Sequence, residues 1–231
     1  MVGAADVSGY VPRNQGQGVA STLDKPAGIS VFPPHAELDG DCVLKRLLVA
    51  EPERAELAWP AGFEGGIAHR LDISTSGALW VADSVDELAQ MRACFAFKQL
   101  VKTYRLRVAK SPVWDVNETD RAIAHDRRRK GRMVVQRGEH TPHRGRWYPA
   151  RTDFRRVHGT LFEVTMHTGV MHQIRVHAAF LGIALLGDRR YGGGPTPQDA
   201  PDGVQFYLHH VGLVDASGWG TQPVPLPEWA R

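Results

Sequence analysis

The chain has 231 residues, 42% of them apolar and 23% charged, with a formal net charge of +3 at pH 7. That length allows one large domain, the composition excludes a disordered chain, and no apolar run approaches the roughly 20 residues that span a bilayer. The charge is unevenly placed. Arg121 to Arg156 holds twelve Lys or Arg against three acids, Asp126, Glu139 and Asp153. The remainder carries sixteen basic and twenty-two acidic side chains. A basic block on an acidic body suits a polyanionic partner, nucleic acid first, or else a solvated surface loop. Cys42 and Cys94 stand far apart without metal-type spacing and read as reduced thiols of a cytoplasmic protein. The N-terminal stretch lacks an apolar core, so no signal peptide is expected.

Residues 1–20 are polar, Gly-rich and aperiodic, and read as a loose arm. "STLDKPAGISVFPP" is an extended piece broken by Lys25-Pro26 and Gly28. "DGDCVLKRLLVAEPE" has helical spacing at Val43, Leu44, Leu47 and Leu48, with Asp39 or Asp41 as candidate cap and Pro52 as terminator. "GGIAHRLDISTSGALWVADS" reads as strand, turn and strand. "SVDELAQMRACFAFKQ" is a helix in which Ser84 and Glu87 form a capping box and Leu88, Met91 and Phe95 a stripe. "LVKTYRLRVAK" alternates as a strand. "HDRRRKGRMVVQ" reads as a loop entering a strand, and "GEHTPHRGRWYPARTDFRRV" interleaves Trp147, Tyr148 and Phe154 with arginines. "GTLFEVTMHTG" is a further strand, "MHQIRVHAAFLG" a helix ended by Gly182, "IALLGDRRYGGG" a short strand and turn, and "VQFYLHHVGLVDASG" another strand. Short strands with a few helices predict one α+β domain over residues 21–231, its core a mixed, mainly antiparallel sheet flanked by helices and loops.

The residues alone leave the chemistry open. Asp72 in "HRLDISTSG" could be a turn residue bonding the amides of Ser74 or Thr75, or a working carboxylate. His172 and His177 lie five apart, about 140° around a helix, and so share no face for a metal. With His167, His209 and His210 they read as packing or polar-network histidines. No nucleophile elbow or phosphate-cradling Gly loop is legible. Arg175 lies between Ile174 and Val176 and is expected to be buried, where a guanidinium needs an anion; Asp72 is a candidate.

In order, "DKPAG", "HRLDISTSG", "FKQLVKTYRLRV", "RRRKGRMVV", "ARTDF" and "TGVMHQIRVHAAFLGIALLGDRRYGG" resemble the motifs of the RluA-type RNA pseudouridine synthases over residues 23–194. The resemblance implies that family's catalytic fold and isomerisation of a uridine in ribosomal or transfer RNA, with no cofactor and no metal. It makes Asp72 the essential carboxylate, attacking the substrate or taking a ribose proton. It makes Tyr104 the aromatic that stacks on the flipped base, Arg175 the ion-pair partner of Asp72, and Arg70 the filler of the vacated stack. Thr75, Ser76, Ile174 and Leu208 become further substrate-binding candidates. Arg127, Arg128, Arg129, Lys130 and Arg132 become candidate RNA contacts. The expected state is a monomer without membrane attachment. An RNA-binding protein that keeps the fold without turnover is the alternative.

Three departures stand out. Val170 occupies a position where the family usually has Arg. Residues 137–148 look longer than usual and suggest a substrate-reading loop. The N-terminal arm is too short for the S4-type RNA-binding domain that many relatives carry.

Overall fold

The computed structural model describes residues 10–11, 21–33 and 40–231. In chain order its elements are β1 (Tyr10–Val11), β2 (Ser21–Lys25), α1 (Val43–Ala50), β3 (Ser76–Val81), α2 (Val85–Ala96), β4 (Val101–Arg107), β5 (Val116–Thr119), β6 (Ile123–Asp126), β7 (Met133–Val135), β8 (His143–Tyr148), β9 (Thr152–His158), β10 (Leu161–Met166), α3 (Gln173–Phe180) and β11 (Leu208–Val214). The class is α+β, as expected. The chain divides into two compact units, residues 1–100 with 210–227, and 101–209 with 228–231.

The first unit has strand order β1-β2-β3-β11. Antiparallel register sets Tyr10 opposite Leu23, and Leu23 opposite Leu79. Two residues of the expected loose arm are therefore strand; the rest of that arm lies outside the described residues. The unbroken apolar run "ALWVA" has a simple cause. Successive strand residues point to opposite faces, and β3 is covered on both. Leu79 and Val81 pack with Val43, Leu44 and Leu47 of α1. Trp80 and Ala82 pack with Leu88 and Met91 of α2. Gly77, the second residue of β3, takes φ +111°, and a Cβ there would lie 2.1 Å from the main-chain oxygen of His210. Only glycine fits that approach.

Two expectations about helix starts need correction. The N-cap of α1 is Cys42, with no side-chain cap. Asp41 lies one residue too early and instead accepts from Arg46 Nε at 3.0 Å; Asp39 lies outside the described residues. At α2, Ser84 Oγ accepts from the Glu87 amide at 3.1 Å as expected, but Glu87 reaches the amide of Asp83 at 2.7 Å, one residue outside the standard box. The strand expected before "HRLD" shrinks to a single bridge, Ile67 to Val81. Gly65 and Gly66, at φ +67° and +81°, break its extension. That segment is braced instead by the buried Arg54, which bonds the Gly65 and Ala82 carbonyls and the carboxylates of Glu51 and Asp83.

The second unit contains the order β4-β10-β9-β5 and a three-stranded sheet β7-β6-β8, with the pairings antiparallel. β4 alternates as its sequence predicts, with Tyr104 and Leu106 buried. Helix α3 lays Val176 against Ile123, Met133, Val135, Ala150 and Tyr191. The strand expected in "IALLG" is only an isolated bridge, Val108 to Leu185. Turns take over at once, because the Leu185 carbonyl is drawn to the Asp188 amide at 3.0 Å.

Candidate active site

The motifs "DKPAG" and "HRLDISTSG" meet in the first unit. Lys25 ends β2 and is only 1% exposed. Its ammonium donates to the carbonyls of Thr75 at 2.7 Å, Pro26 at 2.9 Å and Ile73 at 3.0 Å. The Gly28 amide adds a bond to Ile73 O at 2.8 Å. Three N–H donors facing three carbonyls fit an ammonium, which has no acceptor of its own. Together they hold the turn that carries Asp72. Within that turn the Thr75 amide is taken by the main-chain carbonyl of Asp72 at 3.0 Å, so this bond does not require the carboxylate. Burial draws the Lys25 pKa from 10.5 to about 7, and the negative charge of Asp72 opposes the fall. Burial alone lifts Asp24, the neighbouring residue, to about 6.

Asp72 is half-buried and Arg70 exposed, with its guanidinium carbon 5.8 Å from the centre of the Phe32 ring. His69 Nε2 accepts from the Trp80 amide at 3.1 Å, which puts its proton on Nδ1. Thr75 is buried and Ser76 half-buried. A half-buried carboxylate on a braced turn, beside an exposed planar cation, can serve as nucleophile or base.

In the second unit Tyr104 stands on β4 opposite Val164 of β10. Arg175 is 6% exposed, as its apolar flanks predict. Its bidentate partner within this unit is Asp188, 1% exposed, with Nε to Oδ2 at 2.7 Å and Nη2 to Oδ1 at 3.0 Å. The guanidinium also lies 4.1 Å from the Phe206 ring centre and 5.2 Å from that of Tyr191. Ile174 and Leu208 are buried.

Sequence reading missed both Lys25 and Asp188. The signals were slight: Asp188 follows the apolar run "IALLG" directly, while Lys25 ends a strand, "STLDK", whose composition gives no hint that its ammonium is buried.

The basic block is only partly what its composition suggests. Arg127, Arg128, Arg129 and Lys130 are exposed on the turn between β6 and β7. Asp126 shapes that turn by accepting from the amides of Arg128 and Arg129 at 2.8 and 3.1 Å. Arg132 is half-buried, 5.2 Å above the Tyr191 ring. Residues 137–148 are not one long loop. Thr141 closes a tight turn on Arg137 and Gly138, and His143–Tyr148 is strand β8. Val170 packs against the cluster around Val176 and Tyr191, so its side chain is used as an apolar one.

His172, His177 and His210 act as polar-network residues. His177 bonds Thr152 Oγ1 and the Arg121 carbonyl, both at 2.8 Å, and burial lowers its pKa. His172 Nδ1 meets Tyr191 Oη at 2.8 Å. His210 Nδ1 lies 2.6 Å from the Ala78 carbonyl. Burial depresses His209 to about 4, which keeps it neutral.

The arrangement has known counterparts. The chain is 34% identical over 212 residues to an uncharacterized RNA pseudouridine synthase of Chloroflexus aurantiacus, covering 88% of this chain and 62% of that protein. It is 34% identical over 189 residues to the ribosomal large subunit pseudouridine synthase D of Xylella fastidiosa, covering 80% and 53%. Among solved structures, human RNA pseudouridylate synthase domain containing 1 shares the fold, with a TM-score of 0.68 at 20% identity over 95% of this chain and 90% of that one. The chain spans less than two thirds of the length of the curated relatives it matches. The RNA pseudouridylate synthase family model matches residues 20–180, from the strand that ends in Lys25, through the Asp72 turn and Tyr104, to the helix that carries Arg175. By that match, the chain is a member of the RNA pseudouridylate synthases, of the RluA type.

Proposed function

We propose that this chain converts uridine to pseudouridine within structured RNA, with Asp72 as the essential carboxylate, and that it does so as a cytoplasmic monomer without cofactor or metal. The observation that carries the reading is the Asp72 turn, whose Ile73 and Thr75 carbonyls are both held by one buried ammonium. The reaction breaks C1′–N1, turns the base and joins C5 to C1′; the proton lost from C5 is replaced at N1, so nothing is consumed. Both roles open to Asp72, attack on the sugar and removal of a ribose proton, need the ionised carboxylate. We assign to Arg175, immobilised by Asp188 and two rings, the task of keeping that carboxylate charged.

A base inside a helix has to be extruded before this chemistry, at a cost of a few kcal/mol. Stacking on Tyr104 returns roughly 1–3 kcal/mol. Arg70 is exposed, long and planar, and so suited to the vacancy. Thr75 and Ser76 in the first unit, and Ile174 and Leu208 in the second, are further proposed substrate contacts. The exposed Arg127, Arg128, Arg129 and Lys130 meet phosphates, with Arg132 behind them. The name of the Xylella relative favours large-subunit ribosomal RNA over transfer RNA as the substrate.

The test is tritium release from RNA labelled at uridine C5, with the parent chain and Asp72→Asn. Release by the parent and none by the variant is expected. Equal release from both refutes the role of Asp72. RNA binding without release from the parent identifies the fold as a binding module.

A further inference from the structure

The ladder between β6 and β8 is irregular. Ile123 lies opposite Tyr148 and His125 opposite Arg144, so two steps along β6 answer four along β8. The extra residues bulge around Gly145, which takes φ +75° with open space where a Cβ would be. Positions four apart in a regular strand lie about 13 Å from each other. Here the rings of His143 and Trp147 have centroids only 4.3 Å apart, at 34° between planes.

The bulge is what stacks them. The turn before β8 fixes the stack further: His143 Nδ1 lies 3.1 Å from the Thr141 carbonyl, and Thr141 Oγ1 accepts from the amides of Arg137 and Gly138. The register puts both rings on the face opposite Ile123, which is in the core. Both rings remain half-exposed, and the two residues that flank Gly145 between them, Arg144 and Arg146, are exposed. A bulge re-aims side chains and often adjoins a functional site. This one builds an aromatic pair that does not belong to the neighbouring core cluster.

We infer that the His143–Trp147 pair is a stacking platform for one unpaired nucleobase of the RNA. This rests on the reading that the partner is RNA. A base offers a π-face to Trp147 whatever its identity, and the exposed Arg144 and Arg146 of the same strand supply positive charge for the RNA backbone. A duplex keeps its bases stacked on each other, so the platform selects a single-stranded segment or a bulge.

The experiment measures binding of fluorescein-labelled decauridylate and of a ten-base-pair RNA duplex by anisotropy, at several salt concentrations. Trp147→Ala is expected to weaken decauridylate binding by about 5- to 150-fold. The salt slope should be unchanged, because stacking releases no counterions. Trp147→Phe should recover most of the loss, and duplex binding should be unaffected. Parental affinity in Trp147→Ala, an equal loss on duplex, or no measurable decauridylate binding by the parent overturns the platform. Running the set in Asp72→Asn as well separates this outcome from the catalytic one: the stacking effect persists there even though turnover is lost, and absence of turnover in the parent leaves the binding result standing.

Discussion

Replacing Lys25 by Met tests the buried ammonium under the Asp72 turn. In the folded chain burial draws its pKa to about 7, against 10.5 as the ordinary value. Between those limits the unfolded chain holds the proton and the folded chain does not, so stability rises with pH across the window. The cost of the buried charge is full below about pH 7 and gone above about 10.5, and is about 5 kcal/mol. Against it stand three bonds from the ammonium to carbonyls, each worth about 1.5–3 kcal/mol. Met removes both terms, so near neutral pH the variant is expected to lie between the parent's stability and about 4 kcal/mol below it.

The pH dependence is the sharper readout. From pH 6.5 to 9.5 the parent should gain about 3 kcal/mol over the variant, measured by urea unfolding at both values. Lys102, drawn down to about 8 by burial, moves stability the same way in both proteins and cancels in the difference. At pH 7.5 the variant should also lose turnover while retaining RNA affinity, because the turn carrying Asp72 has lost two anchors, at the Ile73 and Thr75 carbonyls. A stability difference that stays flat from pH 6.5 to 9.5 would show that the ammonium never gives up its proton, and would refute the reasoning.

Three further outcomes are expected. Asp188→Ala removes both hydrogen bonds that Asp188 accepts from a buried guanidinium and should cost about 3–5 kcal/mol in urea unfolding; an unchanged midpoint would rule out a structural role for the pair. Replacing Arg127, Arg128 and Arg129 together by Ala should lower the slope of log affinity against log salt by about 2–3, and an unchanged slope removes that turn from the RNA interface. Gly77→Ala places a methyl group against the His210 carbonyl at positive φ, and should cost several kcal/mol or prevent soluble expression; a parental melting temperature would contradict the tight approach of β3 to that residue.

The strands and helices with clear periodicity were legible before any coordinates. β4, β10, α2 and α3 depend on local alternation or helical spacing, which tertiary packing here reinforces. The misses share a different cause. The strand before "HRLD" fails because two glycines at positive φ break it. The cap of α1 fails because the helix begins one residue later than Asp41 could cap, after Cys42. The 137–148 stretch is read as loop because its composition hides a bulged strand, and a bulge has no sequence period.

By itself the sequence determined the class of fold, the family through its ordered motifs, and the residues worth testing, Asp72, Tyr104 and Arg175. These follow from residue type and spacing, which are local properties of the chain. Only the tertiary structure decided which charges meet. Lys25 stands 50 residues from the Thr75 carbonyl it holds, and Arg175 takes Asp188 from a turn beyond its own helix. Trp147 lies on His143 only because the strand between them is bulged. The reason is physical: charge pairing and ring stacking depend on distance in space, which spacing along the chain does not set.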